Sequence, residues 1–208
     1  MKRFYERYIQ DGQYVSIIAF LIFVGVRAFF AFADDSHALV EMHGGLLWDE
    51  LARFIPSSEI SVLLSGIFGL SLAMLLGWIN NKYAIIRERT SLPMAFVLLF
   101  LSIDPRFVFM SPHYVATLFL LLAMNALFAS YQETRSPRRG IDVGMYLALA
   151  SLFVTEYLAF LPLFLIGFSM MRSFSGKVFF ATLLPYLFLY VLTAGYFVFI
   201  GEAGRLLD

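Results

Sequence analysis

The stretch YVSIIAFLIFVGVRAFFAFA, residues 14–33, decides the fold class of this chain, because its 20 residues carry a single charged side chain, that of Arg27. About 20 consecutive apolar residues are enough for a helix to cross a lipid bilayer. No small-residue cleavage site precedes Asp34, as the end of a secretory signal peptide would require. The stretch therefore predicts a transmembrane helix that is retained as a membrane anchor.

Further apolar stretches follow along the chain, at residues 60–79, 92–130, 143–171 and 178–200. Hydrophobic residues make up 61% of the chain and charged residues 14%, against about 45–50% and about 25% in soluble domains. The mean hydropathy is +0.80. The sequence therefore predicts an all-α fold, a polytopic transmembrane helical bundle that forms one domain over residues 1–208.

Composition also excludes several classes of function. The chain has no cysteine, which excludes a disulfide scaffold, a thiolate metal site and a cysteine nucleophile. Its 15 basic and 15 acidic residues balance, so there is no electrostatic case for binding nucleic acid. A phosphate-binding Gly-rich loop, a nucleophile elbow and an HExxH zinc motif are absent from the sequence.

The number of membrane crossings depends on how two of the apolar stretches are divided. Residues 92–130 are interrupted at Asp104-Pro105-Arg106 and Ser111-Pro112, which predicts a hairpin of two helices. Residues 143–171 are interrupted at Thr155-Glu156, and a hairpin of two short helices there gives about seven helices in total. The alternative is one tilted helix kinked at Pro162, which gives six.

Clusters of Lys and Arg mark the cytoplasmic side of a membrane protein. Such clusters precede the first predicted helix, follow the second and the fourth, and precede the last, whereas most acidic residues lie in the alternate loops. The charge pattern therefore predicts a cytoplasmic N-terminus and, with seven crossings, an external C-terminus.

The largest segment outside the predicted helices is the external loop 34–59. Within it, residues 46–55 place Leu47, Leu51 and Phe54 on one helical face and charged residues elsewhere. This pattern predicts a short amphipathic helix at the membrane interface, with Trp48 at the depth of the lipid headgroups.

Arg27 is the clearest candidate functional residue, because an ionisable side chain inside a membrane segment is costly. Its planar guanidinium is suited to binding a lipid phosphate. The alternative is a structural role, in which Arg27 forms an ion pair with Asp34, Asp104 or Glu156 or extends to the outer interface.

The external loop carries further polar candidates at its start. Asp34 and Asp35 would act as a general base or hold a divalent cation, or else they simply end the first helix. His37, Glu41 and His43 lie close together in the sequence, but a zinc site needs three convergent ligands and only the first two have helical spacing. A solvated loop is the simpler interpretation of these three, and no metal site is predicted from them.

Three more candidates belong to the predicted external side. Arg106 and His113 lie at the tip of the hairpin formed by residues 92–130, and Glu156 lies at the tip of the short hairpin. Together with Arg27 they predict a site that faces outward and binds a lipid phosphate.

The chain resembles the middle of GT-C-type membrane glycosyltransferases in the stretch SPHYVATLFLLLAMNALFASYQETRSPRRGIDVGMYLALASLFVTEYLAFLPLFLIGFSMMR, residues 111–172, followed by LLPYLFLYV, residues 183–191. The likeness lies in the alternation of short hairpin helices with tight basic turns, and as topology it covers the whole chain. It also resembles an uncharacterised multi-pass membrane protein family of Bacteroidetes in NNKYAIIRERTSLPMAFVLLFLS, residues 80–102, and SPHYVATLFLLLAMNALF, residues 111–128.

The GT-C resemblance implies an outward-facing site in a bacterial inner membrane that uses a sugar linked to polyprenyl phosphate. It implies an acidic residue of the first external loop as the base, a role that falls to Asp34 or Asp35. Arg27, Arg106 and His113 are placed near the donor phosphate on their chemistry alone. No cofactor is predicted, and a divalent cation held by Asp34 and Asp35 is the alternative left open by their chemistry.

Enzymes of this type usually continue into more helices or a large external domain, whereas this chain ends at Asp208. A second function therefore remains open, that of a non-enzymatic accessory or scaffold subunit. Such a subunit would have membrane lipid and other membrane proteins as its partners, in a complex for envelope biogenesis or export.

Overall fold

The computed structural model describes residues 13–32, 44–55, 57–86, 90–131 and 137–201, and every regular element within them is helical. The α-helices are, in chain order, α1 (Gln13–Phe32), α2 (Leu46–Ala52), α3 (Ser58–Tyr83), α4 (Leu92–Ile103), α5 (Pro112–Ala129), α6 (Pro137–Phe153), α7 (Phe160–Met170) and α8 (Gly176–Ile200). Two 3-10 segments, Pro105–Val108 and Thr155–Ala159, follow α4 and α6. For this part of the chain the all-α prediction is confirmed.

Four helices are long and apolar enough to cross a membrane, namely α1, α3, α5 and α8. Large apolar side chains are exposed along α1 and α8, as on a surface that faces lipid. The helix α4 is apolar but has 12 residues, so its length of about 18 Å falls short of a bilayer core of about 30 Å. These helices support an integral membrane protein, and the choice between six and seven crossings stays a prediction.

The helices group into two compact units. The first comprises Met1–Met42 and Ala52–Tyr114, and the second comprises His43–Leu51 and Val115–Asp208. The single domain expected over residues 1–208 stays a prediction.

In the first unit, α1 and α3 run antiparallel with a close approach at Gly69. A Cβ atom at Gly69 would lie 2.8 Å from Cζ of Phe23 and 3.2 Å from Cδ1 of Leu101. The glycine therefore makes the space in which α1, α3 and α4 come together. The Ser16 hydroxyl donates to the Ser91 carbonyl oxygen at 3.2 Å and ties the start of α1 to the start of α4.

The predicted interruption between α4 and α5 is confirmed. Asp104 ends α4, and its Oδ1 accepts a hydrogen bond from the backbone N–H of Arg106 at 2.9 Å. Pro105 then starts the 3-10 segment, and Pro112 starts α5. Both prolines stand at the first position of a helix, where their lack of an N–H costs no hydrogen bond.

In the second unit, α6 and α8 run parallel and pack backbone against backbone. A Cβ atom at Gly140 would lie 2.8 Å from the Val178 carbonyl oxygen, and one at Gly144 would overlap the carbonyl oxygen of Thr182. Small residues of this kind allow membrane helices to approach closely.

The short hairpin predicted in residues 143–171 is also present. The helix α6 ends at Phe153, and the 3-10 segment Thr155–Ala159 leads into α7. The helices α6 and α8 run parallel, so both begin at the same end of the unit. The helix α7, which connects them in the chain, therefore has to run antiparallel to both. Pro162 lies in the first turn of α7, so the break in this stretch falls before the proline and not at it, while the number of crossings stays a prediction.

The helix in the loop after α1 differs from the prediction in length and in position. It spans Leu46–Ala52 instead of 46–55, and Trp48 is 0% exposed, so its indole is buried in the protein and not placed among lipid headgroups. The backbone N–H of Gly45 donates to the Phe153 carbonyl oxygen at 2.7 Å. A carbonyl at the end of α6 has no partner within its own helix, so this bond fixes α2 to α6.

A hydroxyl cluster joins α6 to α8 and supplies a test of this packing. Ser151 Oγ accepts hydrogen bonds from the hydroxyls of Tyr186 and Tyr190, each at 3.0 Å. Ser151→Ala removes the acceptor of both, and hydrogen bonds between membrane helices contribute about 0.6 kcal/mol on average and up to about 1.7. We expect the free energy of unfolding in detergent micelles to fall by about 1–2 kcal/mol.

The double variant Tyr186→Phe/Tyr190→Phe is the control for this cluster. In that background Ser151→Ala is expected to cost less than about 0.5 kcal/mol, because no hydroxyl is left to lose its acceptor. An equal cost in both backgrounds would mean that the two hydrogen bonds do not stabilise the helix pair.

Candidate anion-binding site at Arg27

Arg27 lies in α1 and is buried, with 6% of its surface exposed. Its Cζ atom is 3.6 Å from the centroid of the Phe23 ring, one helical turn earlier on the same face. A guanidinium over an aromatic face is attracted by the negative charge of the ring. Arg27 therefore packs inside the first unit and does not extend to the outer interface.

One nitrogen of the guanidinium is fully occupied. Nη2 donates to the Phe107 carbonyl oxygen at 3.1 Å and to the Tyr114 hydroxyl oxygen at 3.1 Å. The Tyr114 hydroxyl in turn donates to the same Phe107 carbonyl. This carbonyl is available because Phe107 lies in the interruption between α4 and α5, outside the regular hydrogen-bond pattern of an α-helix.

The helix α3 holds the same irregular segment from another side. The Ser65 hydroxyl hydrogen-bonds to the Val108 carbonyl oxygen, and the Met110 backbone N–H donates to Ser61 Oγ at 2.8 Å. Both serines are 0% exposed. Non-helical backbone in an apolar environment is stable only where other groups of the protein form hydrogen bonds with its N–H and C=O groups. These two serines form such bonds with the segment.

Gly66 makes space for the arginine on α3. A Cβ atom there would lie 3.3 Å from Cδ and 3.7 Å from Nε of Arg27. A larger side chain at this position would press on the guanidinium.

The other two nitrogens of Arg27 lack partners within the part of the chain that the structure describes. Nε and Nη1 are buried, and within the described residues neither has a hydrogen-bond acceptor. No carboxylate of that part of the chain forms an ion pair with Arg27, and Asp104 instead caps the 3-10 segment. A buried cation with unsatisfied donors is unfavourable by several kcal/mol in order of magnitude, so the site favours an anion that accepts from Nε or from Nη1.

The structure places the remaining predicted residues as follows. Arg106 and His113 are exposed and belong to the same unit as Arg27, but neither hydrogen-bonds to it. Glu156 is exposed on the 3-10 segment of the second unit. Asp34 and Asp35 lie outside the described residues.

The loop residues His37, Glu41 and His43 likewise lie outside that part of the chain. Among the residues that the structure does describe, no three His, Asp or Glu side chains come together in a way that could hold a metal ion.

Sequence reasoning missed the residues that surround Arg27. Phe23 carried a signal, because it precedes Arg27 by four residues and shares its helical face. Tyr114 follows the predicted candidate His113 directly, but nothing in the pattern distinguished its hydroxyl. The Phe107 carbonyl has no sequence signal, because it depends on the exact path of the backbone between α4 and α5.

Comparison with known proteins adds no assignment to this site, because no protein-family model, no curated protein and no solved structure matches the chain. The resemblances in residues 80–102 and 111–172 therefore stay predictions.

Proposed function

We propose that this chain is a multi-pass protein of a bacterial inner membrane that binds the phosphate of a lipid-linked substrate at Arg27. In this proposal it is a GT-C-like module that transfers a sugar from a polyprenyl-phosphate donor at the external face. The four long apolar helices support insertion into a membrane. The buried Arg27 supports binding of an anion within it.

The pair of unpartnered donors on Arg27 carries the proposal. Nε and Nη1 point to different sides of the planar guanidinium, because Cδ lies between them, so a phosphate oxygen would accept a charge-assisted hydrogen bond from either one. In sugar transfer, Asp34 or Asp35 takes the proton of the acceptor hydroxyl, whose oxygen attacks the anomeric carbon. The bond from that carbon to the phosphate oxygen breaks, and Arg27 stabilises the negative charge that the departing phosphate gains.

Native mass spectrometry of the full chain, extracted gently from its own membrane, tests this binding. We expect a bound polyprenyl phosphate on the native protein and at least a tenfold lower occupancy on Arg27→Met, since a charge-assisted hydrogen bond contributes roughly 1.5–3 kcal/mol. The matched control is Arg53→Met, which removes an exposed arginine and should leave occupancy unchanged. Loss of the lipid only with Arg27→Met would justify a sugar-transfer assay that includes Asp35→Asn.

A second function is favoured by one feature of the same site. The Phe23 ring covers one face of the guanidinium, and the two unpartnered nitrogens are closed to solvent. A permanently packed arginine of this kind suits a non-enzymatic subunit of a membrane complex. Stoichiometric partner chains in the same experiment, with no phosphate-bearing lipid on the native protein, would overturn the sugar-transfer proposal and favour the subunit.

A further inference from the structure

Two loops of the second unit meet at one end of its helices. The Ser173 hydroxyl, just after α7, donates to the Ser130 carbonyl oxygen, just after α5, at 2.9 Å. The helices α6 and α8 begin at this end as well, because Gly140 in the first turn of α6 packs against Val178 in the first turn of α8. Residues from four chain segments are thus gathered on one surface.

The exposed side chains of this surface are mainly basic. Arg138, Arg172 and Lys177 are exposed. Among the described residues at this end, Asp142 is the single acidic side chain, and it lies 3.6 Å from Arg139 in an i,i+3 ion pair. The surface therefore carries three cations that the nearby acid does not neutralise.

Aromatic side chains accompany these cations. The side chains of Tyr131 and Phe174 are 66% and 47% exposed. Each lies in a loop that directly follows an apolar helix, α5 in one case and α7 in the other. Aromatic rings at the ends of apolar helices, next to Lys and Arg, are typical of the level at which lipid headgroups meet the hydrocarbon.

The backbone at Arg172 adopts a left-handed conformation that is unfavourable for an arginine. Its φ is 56°, in the left-handed region, where it ends α7 while the Ser173 N–H donates to the Phe168 carbonyl oxygen at 3.0 Å. Glycine is the usual residue at this position of a helix end. An arginine here is held at a conformational cost that glycine would avoid.

We propose that this basic rim, formed by Tyr131, Arg138, Arg172, Phe174 and Lys177, binds the headgroups of anionic phospholipids. The cations supply charge complementarity, and the two rings place them at headgroup level. The inference rests on the membrane insertion of the proposed function but not on the occupancy of Arg27. A lipid leaflet is the occupant that fits both the charge and the exposed rings.

Reconstitution of the full chain into vesicles tests the rim. The probes are vesicles of phosphatidylcholine alone and of phosphatidylcholine with phosphatidylglycerol, and the readout is the number of each lipid retained on the protein by native mass spectrometry. We expect a preference for phosphatidylglycerol that falls at least about tenfold in Arg138→Gln/Arg172→Gln/Lys177→Gln, because each cation near an anionic surface contributes about fivefold. Salt should weaken the preference.

Two further variants keep the test decisive. Arg138→Lys/Arg172→Lys/Lys177→Arg conserves every charge and should keep the preference within about twofold of the native value. Arg172→Gly removes one cation at a position that suits glycine, so it should fold at least as well while losing about fivefold in preference.

The outcomes separate this inference from the proposed function. A native protein without any preference for phosphatidylglycerol, or a neutral triple variant that keeps it, would overturn the rim while leaving Arg27 untouched. A chain that fails to float with either kind of vesicle after an alkaline wash would instead overturn insertion into the membrane. Loss of preference in the charge-conserving variant would show that the effect is not one of charge.

Discussion

Gly144→Leu is expected to lower the free energy of unfolding by about 3 kcal/mol, the upper end of the usual range for overpacking a core. A Cβ atom at this position would overlap the Thr182 carbonyl oxygen and lie 2.9 Å from Cγ of Pro185. The clashing oxygen belongs to the backbone of α8, which cannot move aside as a side chain can by changing its rotamer. The helices α6 and α8 therefore have to separate. Thermal or denaturant unfolding of the purified protein in detergent micelles measures the change.

The matched control is Gly195→Leu on α8. Nothing lies within 4 Å of a Cβ atom there, so the same side chain enters open space on an exposed surface. We expect stability within about 0.5 kcal/mol of the native protein or slightly above it, since leucine favours a helix more than glycine does. Similar losses for both glycines would mean that the close contact of α6 with α8 does not limit stability.

Arg27→Met is expected to raise the free energy of unfolding by about 1–4 kcal/mol in lipid-free detergent, the range seen when apolar side chains replace buried ion pairs. The substitution removes a buried charge and two donors without partners. It leaves no polar group of the site unpaired, because the Tyr114 hydroxyl still donates to the Phe107 carbonyl. Methionine also fills a similar length of side chain against Phe23.

Added lipid turns this stability measurement into a test of function. A phosphate-bearing lipid that binds only the folded protein should raise the stability of the native chain and leave Arg27→Met unchanged. Arg27→Lys is the control for charge, since it keeps the cation but loses the planar guanidinium and its Nε donor. A loss of about 3–5 kcal/mol with Arg27→Met would instead show that a carboxylate neutralises Arg27 in the folded state.

Much of the fold could be predicted because its signals are local. Apolar length located the long helices, and Pro105, Pro112 and the polar pair Thr155-Glu156 located the interruptions between shorter ones. Proline acts on its own backbone and on the residue before it, so its effect can be read without knowing the partners.

The position of the loop helix could not be predicted in this way. Its amphipathic pattern indicates that one face is covered, but not whether lipid or protein covers it. The Gly45 N–H bonds to the Phe153 carbonyl, more than a hundred residues later, and Trp48 is buried within the protein. A contact at this sequence separation leaves no trace in a single sequence.

The site at Arg27 was predicted in its central residue and missed in its surroundings. A lone arginine in an apolar helix can be recognised from the sequence, because placing its charge in a membrane is energetically unfavourable. Its partners are a backbone carbonyl and a hydroxyl brought in by the turn between α4 and α5, and neither is marked by composition or spacing.

The irregular segment between α4 and α5 has a consequence for the order of synthesis. Its backbone is satisfied by Arg27 on α1 and by Ser61 and Ser65 on α3. All three are translated before the segment itself, and domains generally fold from the N-terminal side during synthesis. The polar side chains that satisfy residues 104–111 are therefore synthesised before the backbone that needs them.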